Sequence, residues 1–169
     1  MLRHFGKKEK IAHPACDDIC RACMLLPDAV SDWSSVLALA DRAAKMCPEE
    51  GRYMTTRGAV LYRAGRWAEA LGPLTDGHRS VQKVLEINPN AFLRYDDARG
   101  CAYLAMAHHR LGHREEARKW FDTMEQQMAT LTEERRTGKV YFMWNILVTM
   151  NLLRPEAARL LEIIEKPLP

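Results

Sequence analysis

A spacing of small residues that occurs twice limits the folds open to this chain. Gly58 is followed seven positions later by Gly65 and five positions after that by Ala70. Ala105, Gly112 and Ala117 repeat the same spacing. A glycine that closes an apolar-periodic run suits the left-handed residue at the end of a helix. Small residues before and after such a turn let the two helices of a hairpin approach closely. The pattern therefore predicts antiparallel helical hairpins, used more than once, rather than a sheet or a single long helix.

The rest of the chain agrees with a helical reading. Apolar periodicity, with Gly and Pro as punctuation, places helices near 15–26, 33–47, 51–64, 67–86, 92–111, 114–130, 133–153 and 155–165. Ser31 and Asp32 can cap the second of these, because a side-chain oxygen there accepts from the unpaired amides of the first turn. Pro48 ends that helix by disfavouring helical dihedrals at Cys47. Pro155 suits the first turn of a last helix, where its missing N–H costs nothing. The stretch from Lys139 to Thr149 is the most strand-like, but its length favours a buried helix.

Composition narrows the class. With 169 residues, 47% of them apolar and 28% charged, the chain can bury a core without disulfides or metals. A net charge of +3 is small for a nucleic-acid binder, which usually shows a larger or more clustered excess. The first twelve residues read as a basic arm or linker remnant, with no secretory leader behind them. No apolar run approaches the roughly 18 residues that suggest a membrane span. Five cysteines, an odd number, argue against a disulfide framework. A cytoplasmic location follows as the expectation.

The paired segments Gly58–Ala70 and Ala105–Ala117 resemble the tetratricopeptide repeat family. Gly58, Ala70 and Leu74 match its pattern in the first repeat, and Ala105, Ala117 and Phe121 in the second. A half repeat with Ala40, Ala43 and Pro48 precedes them, so the resemblance covers about residues 15–130. Ala70 and Ala117 lie 47 positions apart, against a family period of about 34, so longer helices are expected around Asn88-Pro89-Asn90. The phrases Leu61–Arg66, Leu104–His113 and Arg154–Leu161 are similar to the repeat tails of certain bacterial serine/threonine protein kinases. Similar tails follow some sigma-factor-like proteins. The resemblance implies an all-α solenoid of stacked antiparallel hairpins over 13–130, with capping helices over 131–169. It carries no kinase activity, since the chain has no Gly-rich phosphate loop, Val-Ala-Ile-Lys, His-Arg-Asp or Asp-Phe-Gly.

The clusters that could carry chemistry read more simply as structure. His13, Cys16, Cys20 and Cys23 would lie along one helix, and at 1.5 Å per residue His13 and Cys23 are about 15 Å apart. A zinc ion needs its ligands within about 2.3 Å of one point, so these thiols read as core packing. Cys47 and Cys101 are isolated in sequence and read the same way. His109 and His113 straddle the Gly112 turn, no Glu stands between them as a zinc protease needs, and His108 reads as core. The pairs Glu115/Glu116 and Glu133/Glu134 read as first-turn acids that complement helix dipoles. Trp67, Trp120, Phe121 and Trp144 fall on apolar faces and read as core filling. No catalytic residue, metal ligand or cofactor is assigned.

What remains is a binding surface. Arg52, Arg57 and Arg63 lie between 51 and 64 with no acid among them; Arg99, Arg110, His108 and His109 do the same between 98 and 111. In the family such first helices face the groove. The resemblance therefore implies a positive groove that holds another protein or peptide with a preference for acidic segments, built from Arg52, Thr55, Tyr62, Arg63, Arg99, Tyr103, Met106, His109 and Arg110. Two alternatives stay open for these arginines: pairing with Glu49, Glu50, Asp96 and Asp97, or facing solvent. On the groove reading, Arg63→Glu with Arg110→Glu should leave the fold intact and weaken capture. The rival functions are a detached regulatory tail of a signalling kinase or sigma-factor-like protein, a helical nucleic-acid binder, and a small enzyme of unknown type.

Overall fold

A computed structural model describes residues 13–89, 91–138 and 144–163. Among them are seven helices and no strand: α1 (His13–Cys23), α2 (Ser34–Met46), α3 (Gly51–Arg63), α4 (Trp67–Ile87), α5 (Ala91–Arg110), α6 (Arg114–Arg136) and α7 (Trp144–Leu160). Helix accounts for 81% of them, well above the roughly 30–35% of an average domain. The expected basic arm, residues 1–12, lies outside the described residues.

The turns work as their glycines dictate. Gly65 and Gly112 have φ of 76° and 80°, a left-handed conformation that disfavours a side chain. In each turn the amide one residue beyond the glycine donates back to the carbonyl five residues earlier: Arg66 to Leu61 at 3.0 Å and His113 to His108 at 2.9 Å. These bonds close the helix ends before the chain reverses. The N-cap position of α2 is Trp33, which makes no side-chain cap bond; Asp32, one residue earlier, instead accepts the Ser34 amide on its Oδ1 at 2.9 Å in an i, i+2 turn.

Consecutive helices pack in pairs, α1 on α2, α3 on α4 and α5 on α6. The first members also meet, α1 with α3, α3 with α5, and α5 with α7. Small residues set these distances. A Cβ at Gly58 would lie 2.5 Å from Leu74 Cγ, and one at Gly77 would strike the Thr55 hydroxyl and sit 2.9 Å from the Gly51 carbonyl oxygen. The α3–α4 crossing therefore requires small residues at 58 and 77.

Two cores result. One joins Cys16 and Cys20 of α1 to Val36, Leu39, Ala40 and Ala43 of α2, with Tyr53 and Val60 of α3. The larger is centred on α5, in which every residue from Tyr95 to Ala107 is buried. A helix buried on all faces is surrounded rather than laid on a surface, and α3, α4, α6 and α7 provide the enclosure.

The C-terminal third departs from the sequence expectation. α6 runs unbroken to Arg136, across the predicted break near 130, and Glu133 and Glu134 fall in its last turn. There Glu133 pairs with Arg136 at 2.7 Å and Glu134 with Arg94 at 3.7 Å, which offsets their unfavourable place by the dipole. Pro155 lies inside α7 rather than at the start of a separate helix. Proline in a helix interior forfeits one backbone bond; here Leu153, Ala157 and Ala158 on either side of it are buried against the α5 core, and that burial holds the helix continuous. Of the ambiguous stretch 139–149, residues 144–149 are helical and 139–143 lie outside the described residues.

Candidate functional site

The C-terminal ends of α3, α5 and α7 converge, and the expected binding residues at those ends are the ones brought together. Arg63 closes α3. Its Nη2 donates to Glu156 Oε2 at 2.7 Å, its Nη1 to Glu156 Oε1, and its Nε to the Met24 carbonyl at 3.0 Å. Tyr103 donates its hydroxyl to the same carbonyl at 2.9 Å. Burial pushes the Tyr103 hydroxyl pKa up to about 12, so it stays a donor at any physiological pH. The Arg63 guanidinium also stands 5.3 Å from the centre of the Tyr103 ring. One arginine thus ties α3 to the end of α1 and to α7.

Arg110 behaves differently. It is exposed at the end of α5, with its guanidinium 5.5 Å above the Trp67 ring. Arg159 is exposed near the end of α7. Among the described residues no carboxylate lies within ion-pair distance of either. Between them opens a cleft of about 530 Å³ floored by Tyr62, with Leu25, Leu26, Leu152 and Leu160 along its walls. Leu26 is 51% exposed and Leu152 39%. Among the described residues Glu156 is the single acid in the lining, and it is committed to Arg63. His109 faces an adjoining hollow with Arg114 and Arg118.

The other expected residues are corrected by burial. Thr55, Arg99, Tyr103 and Met106 are interior and offer no surface in this conformation. Thr55 donates to the Gly51 carbonyl at 3.2 Å and fills the α3–α4–α5 crossing. Arg99 is 3.2 Å from Asp96, which Arg21 also approaches at 3.1 Å, in a buried network that includes Asp17. Burial raises the Asp17 pKa, against the lowering effect of Arg99. Arg52 donates to Glu50 at 2.8 Å and to the Tyr53 hydroxyl at 2.6 Å. For Arg52 and Arg99 the intramolecular pairing weighed from sequence is therefore the one formed. The positive groove is closed because α5 is enclosed on every side.

One histidine reading also changes. His108 is half-buried rather than core, and its Nδ1 lies 3.3 Å from His113 Nδ1 across the glycine turn. Burial and the neighbouring His113 hold its pKa below the usual histidine value. Cys101 is buried in the core as expected, and there it faces Asp97, one helical turn before it, and His78 of α4, which no spacing rule would have joined to it.

No protein-family model matches the chain, and no match is found among curated proteins or solved structures. Among the described residues no helix is long and apolar enough to cross a membrane.

Proposed function

We propose that this chain is a tetratricopeptide-like interaction module without catalytic activity of its own, and that it holds a polypeptide segment in the cleft between the ends of α3, α5 and α7. One observation carries the reading. A cleft of peptide-accommodating size exposes leucines along its walls and is lined by two guanidiniums that, among the described residues, have no carboxylate within ion-pair distance. Exposed apolar side chains grouped in a concavity mark binding surfaces more often than scattered ones do. The paired hairpins, the repeated glycine turns and the contact of first helices with first helices support the repeat reading. The complementary occupant is a segment that combines Asp or Glu with large apolar side chains, because a guanidinium holds a carboxylate with two directed hydrogen bonds.

The basic residues also serve helix ends, where positive charge offsets the dipole. That role accounts for their position but not for the open leucines beside them. The test is calorimetry with short peptides that present leucine or phenylalanine next to Asp or Glu, beside matched peptides carrying Lys. Acidic peptides should bind, weaken with added salt, and lose at least about tenfold in affinity, or 1.4 kcal/mol, with Arg110→Glu plus Arg159→Glu. Equal binding of acidic and basic peptides, or undiminished binding by the folded double variant, would place the interaction elsewhere.

A further inference from the structure

A second constellation lies between α4 and α5 and shares no residue with the lining of the cleft. His78 projects from α4; Asp97 and Cys101 stand one turn apart on α5. His78 Nδ1 is 2.7 Å from Asp97 Oδ1 and 3.9 Å from Cys101 Sγ, and the three donor atoms all lie within 4.8 Å of one another. We propose that His78, Asp97 and Cys101 form a binding site for a single zinc-class divalent cation.

The geometry is close to what that ion needs. Tetrahedral zinc bonds of about 2.0 Å to nitrogen or oxygen and 2.3 Å to sulfur put neighbouring donors about 3.3–3.5 Å apart. The Nδ1–Sγ distance is within about half an ångström of this, Nδ1 and Oδ1 need separate by about the same amount, and Oδ1 and Sγ, within 4.8 Å of each other, close by up to about 1.3 Å through side-chain rotation. A thiolate, an imidazole and one carboxylate select a borderline-soft ion over magnesium or calcium. With the thiol proton released to water on binding, one thiolate and one carboxylate neutralise the 2+ charge, so the occupied buried site carries no net charge.

The surroundings favour a cation over simple packing. Asp97 is wholly buried, yet among the described residues no lysine or arginine lies within ion-pair distance of it. Its neighbour Asp96 has two arginines. Asp97 Oδ2 accepts instead from Gln82 Nε2 at 2.5 Å and from Gln127 Nε2. Two neutral amides orient the carboxylate without cancelling its charge, and leave Oδ1 directed at His78. Outer hydrogen bonds of this kind fix the ligands of protein metal sites. Gln127 Oε1, in the same cluster, is buried without a hydrogen-bond partner. Trp120 stands edge-on to the His78 ring at 5.0 Å and restricts its rotation. The His78 side chain is 22% exposed, which gives an ion a route in from solvent. A relay in which Cys101 acts as a nucleophile is disfavoured, because the sulfur and the carboxylate both address the same ring nitrogen.

The test is titration of the reduced, metal-stripped protein with Co²⁺, followed by absorption. One equivalent should give a saturable thiolate-to-cobalt band, displaced by Zn²⁺. Cys101→Ser should abolish the band, and His78→Gln, which can still bond Asp97, should weaken binding at least tenfold. Cys20→Ser, in the other core, should leave it unchanged. Absence of a saturable band in the wild-type protein, or a band that persists in Cys101→Ser or is undiminished in His78→Gln, would overturn the proposal. The His78→Gln arm decides the matter if Cys101→Ser does not fold.

Discussion

Arg63 of α3 and Glu156 of α7 form a two-pronged ion pair across 93 residues of sequence, with the arginine side chain 2% exposed and the glutamate 25%. The pair joins the first hairpins to the last helix, and it changes what can be expected of a charge reversal at Arg63. A glutamate there would face Glu156 and the Met24 carbonyl, so the fold would not remain intact as the groove reading requires.

Glu156→Gln should lower stability by about 3 kcal/mol, the low end of the cost of breaking a buried pair, because Glu156 keeps some contact with water. Chemical denaturation would measure it. A loss under about 1 kcal/mol would mean that the pair is no more than a surface contact.

Asp96→Asn should cost about 3–5 kcal/mol, since it leaves Arg99 and Arg21 facing each other without their shared carboxylate. Asp96→Leu combined with Arg99→Met removes both charges and should cost less than the single change. If the double variant is the less stable of the two, the network contributes more than mutual compensation of charge.

Gly72 and Gly77 both lie in α4 but should respond unequally to alanine. A Cβ at Gly72 meets nothing within 4 Å beyond its chain neighbours, but Pro73 follows it, and crowding of that Cβ by the proline ring offsets the gain in helix propensity, so Gly72→Ala should change stability by less than about 0.5 kcal/mol. Gly77→Ala forces a methyl into Thr55 and the Gly51 carbonyl and should destabilise by about 1–3 kcal/mol. Paired thermal melts decide the point; an equal or smaller loss in Gly77→Ala would contradict the α3–α4 packing.

His108 should make stability depend on pH. Burial and His113 lower its pKa in the folded state below the ordinary 6.5, so the unfolded chain binds the proton more readily. The stability this confers is present above about pH 6.5 and is lost as pH falls through the folded value. The melting temperature should therefore drop from about pH 7 toward pH 5, and drop less in His108→Gln. An equally steep decline in the variant would assign the effect to other groups.

Much of the helical framework was legible in the sequence because its signals are local. Gly65 and Gly112 announced their turns, and Gly58, Ala70, Ala105 and Ala117 announced close helix approach; each depends on residues within one hairpin. Asp32 at the start of α2 is equally local. The break expected near residue 130 and the separate helix expected after Pro155 failed for one reason. Local punctuation there is overridden by burial, of Leu131 in α6 and of Leu153, Ala157 and Ala158 in α7, against partners far along the chain.

Local signals were enough to show that the chain is helical, where its tight turns fall, and which small residues stand at helix crossings, because hydrogen bonding and steric size act over a few residues. Which charges face water depends instead on how the helices pack. Arg63, Arg99 and Arg110 are alike in sequence context, yet the first is tied to Glu156, the second is buried beside Asp96, and the third stands open over Trp67. Likewise only the packing of α4 on α5 sets His78 beside Asp97 and Cys101. Such differences depend on what the other helices place opposite each side chain, and that is a property of the assembled core.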